Sequence, residues 1–165
     1  MRLQTSFPLE HANAIITQAL ALGRAASLLP LTVVVIDAGG KLVAMQSEDG
    51  SGLLRFEIAF GKAYGALGMG ISSRLIRDRL KERPAFQNAI AAASRGQFIP
   101  VPGGVLVETA DGITLGAVGI SGDTSDKDEY CAIEAIKFVG YAPEPSDPNP
   151  DWRTSSLSDH YPASS

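Results

Sequence analysis

Two runs of β-type residues, separated by a short Gly-Gly segment, constrain the fold of this chain more than any other feature. The first run is LTVVVID (31–37), the second is LVAMQSE (42–48), and the four residues between them read AGGK. A connection this short joins two strands as an antiparallel hairpin, because parallel strands need a crossover of a dozen or more residues. The pair therefore argues against a Rossmann-type start, in which a helix follows the first strand.

Helical periodicity dominates on both sides of this hairpin. Residues 10–29 form a predicted amphipathic helix that Pro30 closes, and residues 54–69 also follow a helical period. A short basic helix, with Ser72 or Ser73 as its cap, comes next and ends before another helix rich in alanine. The first two-thirds of the chain thus reads as helix, hairpin and helices.

A second hairpin and a last helix complete the folded region. Residues 105–121 read as two strands that turn at residues 110–112, and residues 126–140 read as a helix with Asp126 as its N-cap. Hairpins with helices between them predict the α+β class, with one antiparallel sheet covered by helices. The sheet reaches five strands if residues 98–100 pair at an edge.

The segment from Pro102 to Glu129 holds six glycines, although much of it looks like β-strand; they lie at positions 103, 104, 112, 116, 119 and 122. Neither a P-loop nor a dinucleotide-binding loop fits, because the required Lys is missing and the glycine spacing is wrong. Gly116 and Gly119 inside a strand predict either a β-bulge or a surface that another group approaches closely. Ser121 and Gly122 end the strand just before a helix N-terminus, where backbone N–H groups can receive an anion.

The second helix also contains unexpected glycines, at positions 61, 65 and 68. Each costs about 1 kcal/mol relative to Ala in a helix interior. A close contact with a neighbouring element or a ligand should offset that cost, and tight backbone packing is the favoured interpretation.

Charge and hydropathy exclude several classes of function. The chain has 14 basic and 18 acidic residues and a net charge of −4, so nothing attracts it to nucleic acid or to anionic membranes. No apolar run approaches the roughly 20 residues of a membrane span, and the first residues do not resemble a signal peptide. The single Cys131 has no partner for an internal disulfide. A cytoplasmic protein of one domain is expected from these features.

The composition changes sharply after Tyr141. Residues 142–165 contain five of the ten prolines and too few apolar residues to build a core. The sequence predicts a domain over residues 1–141 and a Pro-rich arm or tail over residues 142–165. An arm on a neighbouring subunit is favoured over a disordered tail, because the segment keeps three candidate anchors, Trp152, Leu157 and Tyr161.

A series of short motifs resembles one known family. The motifs are V-x-D-x-x-G-x-L at 35–42, D-G at 49–50, I-A-x-x-K-A at 58–63, a loose P-x-G-G at 101–104, D-G-x-x-x-G-A-V-G-I-S-G at 111–122 and D-E at 128–129. Each motif alone is weak, but in this order they resemble the GlcG/HbpS family, also described as haem-binding or haem-degrading. The resemblance covers residues 9–140, and the run from Gly103 to Glu129 is its most specific part.

The resemblance implies a profilin-like α+β fold with three layers, in which helices cover both faces of a five-stranded antiparallel sheet, and it implies a homo-oligomer. Members of the family are encoded near genes for small-acid or diol catabolism or sense haem, and some bind haem. This chain has Ser47, Gly65 and Leu106 where the family often has Arg, Thr and Pro. It therefore lacks the Arg and Thr that could contact an anion or a haem propionate.

With the resemblance, eight residues become candidates for a ligand pocket between sheet and helices: Asp49, Gly50, Lys62, Gly103, Gly104, Ser121, Gly122 and Asp128. Lys62 would bind an anion or, with a lowered pKa, act as a base. The competing interpretations are a surface lysine for Lys62 and simple stabilisation of the helix dipole for Asp128 and Glu129.

A bound haem would need an axial ligand, and His11 is the first candidate, ahead of Cys131 and Tyr64. A metal site is not predicted, because two distant histidines and one cysteine provide no ligand spacing. A serine hydrolase is not predicted either, because the chain lacks a G-x-S-x-G elbow.

Three functions remain open from the sequence. The first is a small-ligand-binding protein whose ligand is haem or a small carboxylic acid. The second is an enzyme acting on a small oxygenated acid, with Lys62 as base or electrostatic clamp and Asp128 as its partner. The third is a structural subunit whose glycines serve only packing.

Overall fold

The computed structural model of the chain describes residues 6–157. Its elements follow the order α1 (Leu9–Ala25), β1 (Thr32–Asp37), β2 (Leu42–Ser47), α2 (Arg55–Met69), α3 (Ser73–Leu80), α4 (Pro84–Ala93), β3 (Gly104–Glu108), β4 (Thr114–Ser121), α5 (Ser125–Val139), β5 (Ala142–Glu144) and a 3₁₀ turn, Trp152–Thr154. Both predicted hairpins and all predicted helices are present.

The five strands form one antiparallel sheet in the order β2-β1-β4-β3-β5. The prediction that residues 98–100 supply the fifth strand is wrong, because β5 takes that place beside β3. The backbone N–H of Ile99 donates instead to the carbonyl of Gly61 in α2, 3.2 Å away. The loop before β3 therefore runs along a helix rather than along the sheet.

Alternating side chains of the central strands pack into two separate hydrophobic cores, one on each face of the sheet. Val33 and Val35 of β1 pack with α1 and α5, whereas Val34 and Ile36 pack with α2. Because neighbours along a strand point to opposite faces, the sheet is buried on both sides. The result is the predicted three-layer α+β architecture, with α1 and α5 on one face and α2 on the other.

Two helix ends differ from the predictions. The N-cap of α5 is Thr124, whose hydroxyl accepts from the N–H of Lys127, and Asp126 lies inside the first turn. Helix α1 ends at Ala25, and Ser27 adopts a positive φ of 55° before Pro30 is reached. Ser72 caps α3 as predicted, since its hydroxyl accepts from the N–H of Leu75.

The glycines of β4 explain how α2 lies so close to the sheet. A Cβ atom at Gly119 would collide with the carbonyl oxygen of Ala59 in α2 and come within 3.0 Å of the Ala63 side chain. The loss of a side chain at Gly119 therefore lets helix and strand touch through their backbones, as the sequence predicted. Gly112 has a φ of +82° in the β3–β4 turn, a conformation that glycine adopts without strain.

The C-terminal segment folds onto its own domain. Strand β5 extends the sheet past the boundary predicted at residue 141, and Trp152 stacks on Tyr130 of α5 with ring centroids 3.7 Å apart. These contacts lie within one chain, and the arm on a neighbouring subunit stays a prediction. Leu157 is half exposed, and the third predicted anchor, Tyr161, lies outside the described residues.

None of the helices within residues 6–157 is both long enough and apolar enough to cross a bilayer.

Candidate functional site

Lys62 and Asp128 form a buried ion pair that connects the two helical layers. The ammonium of Lys62 donates to Asp128 Oδ2 and to the carbonyl of Ile120, both at 2.9 Å. The two side chains are only 2% and 1% exposed. The structure thus brings together two of the eight predicted ligand-binding residues, but seals them from solvent.

Gly103 and Gly104 make room for this lysine. A Cβ at Gly103 would lie 3.0 Å from Lys62 Nζ, and a Cβ at Gly104 would collide with the Lys62 carbonyl oxygen. The N–H of Ile120 also bonds to the Gly103 carbonyl, so the lysine enters the sheet where β3 begins to pair with β4. The predicted Gly-Gly motif therefore has a packing role around Lys62.

Asp128 is held by the backbone as well as by Lys62. Its Oδ1 accepts from the N–H of Asp123 at 3.1 Å. Burial raises the pKa of the Asp128 carboxyl, while the Lys62 ammonium acts in the opposite direction. With both oxygens occupied, this carboxylate stabilises the turn between β4 and α5 and is not free to receive a ligand.

Ser121 and Gly122 lie at the predicted strand end but do not form an open anion site there. A Cβ at Gly122 would collide with the carbonyl oxygen of Pro30, so this backbone is in close contact with the loop before β1. The adjacent N–H of Thr124 already donates to the Asp123 carboxylate at 2.7 Å. Two backbone N–H groups just before α5, those of Asp123 and Thr124, are therefore already bonded to the chain's own carboxylates.

A polar row that the sequence analysis missed crosses the sheet at this end. Thr32 pairs with Ser47 in β2 and with Ser121 in β4, so the three residues share one register position. The Thr32 hydroxyl lies 2.8 Å from that of Ser47 and 2.7 Å from that of Ser51. Arg55, in the first turn of α2, donates to the Ser121 hydroxyl at 3.1 Å.

Asp49 and Gly50 lie apart from Lys62. Asp49 is exposed on the loop after β2, where an open depression of about 450 Å³ is lined by Arg24, Pro30, Ser47, Glu48 and Asp49. Gly50 adopts a φ of +83° in the same loop. The predicted pocket containing both Asp49 and Lys62 is therefore split into an open depression and a closed ion pair.

A groove runs along the outer face of α2 on both sides of Tyr64, with apolar walls on the side of Phe98 and mixed walls on the side of Gly40. One part, of about 170 Å³, is lined by Tyr64, Gly65, Gly68, Met69, Ile90, Ala93, Ser94, Gln97 and Phe98. The other, of about 220 Å³, is lined by Ala38, Gly39, Gly40, Tyr64, Leu67 and Gly68. A Cβ at Gly68 would meet nothing within 4 Å, whereas one at Gly65 would lie 3.0 Å from the Phe98 ring. The absence of a side chain at Gly65 thus lets Phe98 pack against the helix backbone, and the absence of one at Gly68 leaves the groove open.

The three candidate haem ligands differ in what surrounds them. His11 Nδ1 lies 2.5 Å from the hydroxyl of Tyr141, and the two rings are in contact. Cys131 is fully buried, and burial raises the pKa of its thiol to about 12. Tyr64 lines both parts of the groove, with its ring stacked on Phe60.

The sequence favoured His11, whereas in the structure Tyr64 lines the apolar part of the groove. No group of three or more His, Cys, Asp or Glu side chains suited to a metal ion occurs within residues 6–157.

Glu129 is a buried carboxyl group with incomplete pairing. It is fully buried, and neither oxygen has a hydrogen-bond partner, although Arg74 Nε lies 3.3 Å from Oε1. Burial raises its pKa to about 7, a shift that the positive charge of Arg74 opposes. This burial was not predicted from the sequence, because a glutamate in a protein is rarely fully buried.

The family model for HbpS-like haem-degrading proteins matches residues 7–137, which is most of the chain. The chain belongs to the HbpS-like family. The resemblance stated from the sequence motifs is thereby confirmed.

Known proteins similar to this HbpS-like chain include a bacterial relative by sequence and several solved structures. An uncharacterised 15.0 kDa protein of Citrobacter freundii, encoded in the dhaT-dhaS intergenic region, is 29% identical over 108 residues, covering 66% of this chain and 75% of its own. The solved structure of a PduOC–haem complex has a TM-score of 0.73 and 22% identity, over 82% of this chain and 96% of its own. Klebsiella pneumoniae protein ORFY has a TM-score of 0.74 and 21% identity, over 84% and 93%.

A double mutant of Streptomyces reticuli HbpS is also similar, with a TM-score of 0.71 and 23% identity, over 85% of this chain and 91% of its own. At such identities the structures establish the shared fold, which is the profilin-like arrangement predicted from the sequence.

Proposed function

We propose that this HbpS-like chain is a small-ligand-binding protein whose groove along α2 holds a flat, largely apolar ligand, with haem as the first candidate. The observation that carries the proposal is the position of Tyr64 between two adjoining openings, one with apolar walls and one with mixed polar and apolar walls. The PduOC structure, which contains haem, supports the choice of ligand.

The residues of the groove fit such a ligand. A tyrosine phenolate is an established type of axial haem ligand, and Gly68 leaves the helix surface beside it open. Lys41 follows the groove residue Gly40, and Arg95 follows Ser94 at the other end; both are exposed. These two cations are suited to the carboxylates of a ligand lying along the groove. Bound haem would supply a redox-active iron, and the chain would supply shape and charge.

The groove of one chain is shallow for a ligand of this size. Drug-sized ligands usually occupy pockets of roughly 300–1,000 Å³, whereas the two parts have volumes of about 170 and 220 Å³. We propose that a second copy of the chain covers the outer face of the ligand. The homo-oligomer implied by the family resemblance is consistent with this arrangement.

The burial of Lys62 and Asp128 favours a binding protein over the alternative of an enzyme that acts on a small oxygenated acid with Lys62 as base or electrostatic clamp. At 2% and 1% exposure, neither side chain reaches a substrate. We propose that the pair stabilises the fold. We further propose an accessory role in small-molecule catabolism, which the gene position of the Citrobacter freundii relative supports.

A haem titration followed by absorbance tests the proposal. The wild-type protein should show a saturable Soret shift, and Tyr64→Phe should move the band or weaken binding while keeping the aromatic stack on Phe60. Gly68→Leu should block binding without removing any ligand atom, since its side chain would enter the open groove. His11→Ala is the matched control and should leave the spectrum unchanged.

No saturable shift would overturn the haem assignment. If His11→Ala abolishes saturable haem binding while Tyr64→Phe and Gly68→Leu retain it, the groove is not the haem site.

A further inference from the structure

Helix α4 lies on the surface although it is almost entirely apolar. Residues 84–94 contain no charged side chain. None of the residues of α4 is buried, and Phe86 is 43% exposed. A helix of this length is marginal in water without tertiary packing, and a helix that is apolar on all sides is normally buried. The exposed side of α4 is therefore suited to a partner.

The domain covers one side of this helix. Ile90 and Ala91 pack against a small core of Ile76, Leu80 and Phe98. On the other side, five apolar residues are exposed: Ala85, Phe86, Ala89, Ala92 and Ala93. Three of these alanines follow the spacing i, i+4, i+7 of a single helix face, and the aromatic ring lies one turn before the second of them. The open face thus combines small side chains with one aromatic ring.

Positive charge flanks α4 at both ends. Residues 79–95 hold one carboxylate and four cations: Glu82, Arg79, Lys81, Arg83 and Arg95. None of these five groups has an ion-pair partner within residues 6–157. The earlier arginines of α3 differ, because Arg74 contacts Glu129 and Arg77 contacts Asp78. The segment therefore keeps a net charge of +3, and since the whole chain has −4, the rest carries −7.

A surface of matching chemistry lies at the end of α5. Phe138 is 70% exposed there, and Phe86 and Phe138 are the two exposed aromatic side chains of residues 6–157. Glu134 precedes Phe138 by one helical turn, and Lys137 connects Glu134 to Asp147 through contacts of 3.2 Å. Residues 134–153 hold four carboxylates and two cations, so this surface has a net charge of −2.

We propose that α4 of one chain docks on the end of α5 of a second copy, with Phe86 and Phe138 at the centre of the contact. A second copy fits because the chain itself supplies the complementary surface, apolar at Phe138 and acidic around it. Contact between two α4 helices would instead bring two segments of charge +3 together.

The docked copy would lie beside the Phe98 side of the groove, because Ile90 and Ala93 of α4 line that part. This consequence alone rests on the proposed function. The contact itself involves no ligand.

Analytical ultracentrifugation of the ligand-free chain tests the contact. The wild type should associate reversibly, and added NaCl should weaken the association because salt screens exposed charges. Phe86→Asp and Phe138→Asp should each raise the dissociation constant about thirtyfold or more, as expected for an aromatic residue at the centre of an interface. Both side chains are exposed, so circular dichroism should show an unchanged fold. Ile113→Asp is the matched control, since Ile113 is 59% exposed in the β3–β4 turn, and it should associate like the wild type.

A mixture of the Phe86→Asp and Phe138→Asp proteins distinguishes this contact from one between identical surfaces. The first variant keeps Phe138 and the second keeps Phe86, so each mixed pair retains one intact contact. With one variant isotope-labelled, native mass spectrometry should detect mixed assemblies although neither variant associates alone.

Three results would overturn the proposal: a wild type that stays monomeric at its highest soluble concentration, a Phe86→Asp variant that associates as the wild type does, or a mixture without mixed assemblies. If the wild type does not self-associate but binds vesicles of anionic lipid, and Phe86→Asp abolishes that binding, α4 docks on a membrane surface instead. Haem takes no part in these measurements, so their outcome is independent of the haem titration.

Discussion

The ammonium of Lys62 lies 2.9 Å from Asp128 Oδ2 although the two residues belong to helices on opposite faces of the sheet. The lysine reaches across the sheet at the start of β3, where Gly103 and Gly104 leave the necessary space. A polar connection between the layers therefore supplements the two apolar cores. The glycine-rich motif around β3 is best explained by this connection.

Lys62→Met should lower the free energy of unfolding by about 3–5 kcal/mol, because it leaves a buried Asp128 carboxylate without its cation. Urea denaturation followed by circular dichroism measures the change. Lys137→Ala is the control: Lys137 is partly exposed and pairs with Glu134 and Asp147, so its loss should cost at most about 1 kcal/mol. Equal effects of the two substitutions would contradict a structural role for the buried pair.

Gly119→Ala should destabilise the protein by roughly 1–3 kcal/mol or more, since its Cβ would collide with the α2 backbone, which cannot rotate away. Gly68→Ala is the opposite case, because its Cβ meets open space in the interior of α2. That substitution should stabilise the protein by about 0.5–1 kcal/mol through helix propensity. Thermal unfolding compares the two, and a stable Gly119→Ala variant would show that helix and strand are not in backbone contact.

Local patterns predicted most of the fold, because strand alternation and helical period depend only on nearby residues. The fifth strand was misplaced since Ala142–Glu144 is short and contains Pro143, which gives no strand signal. The polar row of Ser47, Thr32 and Ser121 was missed for a different reason. It exists only because the register places Thr32 between Ser47 and Ser121, and that register is not visible in the sequence.

Glu129 should make the stability depend on pH in a defined direction. Burial raises its pKa from the usual 4.5 of a glutamate to about 7 in the folded protein, so the folded state binds this proton more tightly than the unfolded state. The stabilisation of the folded state by the proton on Glu129 is fully present below pH 4.5 and is lost as the pH rises through about 7. Within that window the slope approaches about 1.4 kcal/mol per pH unit. The groups that act on Glu129 are Arg74, Asp126, Arg77 and Glu144.

Glu129→Gln isolates this contribution, because a neutral amide does not titrate. The difference in free energy of unfolding between the variant and the wild type should grow in favour of the variant between pH 5 and 7. Burial also raises the pKa of Asp128, and comparing the two proteins cancels that shared dependence. Glu57→Gln, at an exposed position of α2, is the control, and its free energy of unfolding should depend on pH in the same way as that of the wild type. A parallel curve for Glu129→Gln would contradict the raised pKa.

The C-terminal segment should unfold together with the rest of the domain, because Trp152 is buried against Tyr130 and the Ser155 hydroxyl lies 2.6 Å from that of Thr124. Trp152 is the single tryptophan of the chain, so its fluorescence reports on this contact alone. In urea, the fluorescence transition should coincide with the loss of helix measured by circular dichroism. Trp152→Ala should cost roughly 3 kcal/mol.

Leu157→Ala is the control for this segment, since Leu157 is half exposed and its loss should change stability by no more than about 0.5 kcal/mol. A fluorescence transition at clearly lower urea than the helical transition would show that the segment detaches on its own.

Truncation after Tyr141 distinguishes packing on the chain's own domain from an arm on a neighbouring subunit, because it removes β5 and Trp152 together. If truncation lowers the free energy of unfolding and light scattering shows no loss of subunits, the segment packs on its own domain. If truncation dissociates an oligomer and leaves the free energy of unfolding unchanged, the segment is an arm on a neighbouring subunit.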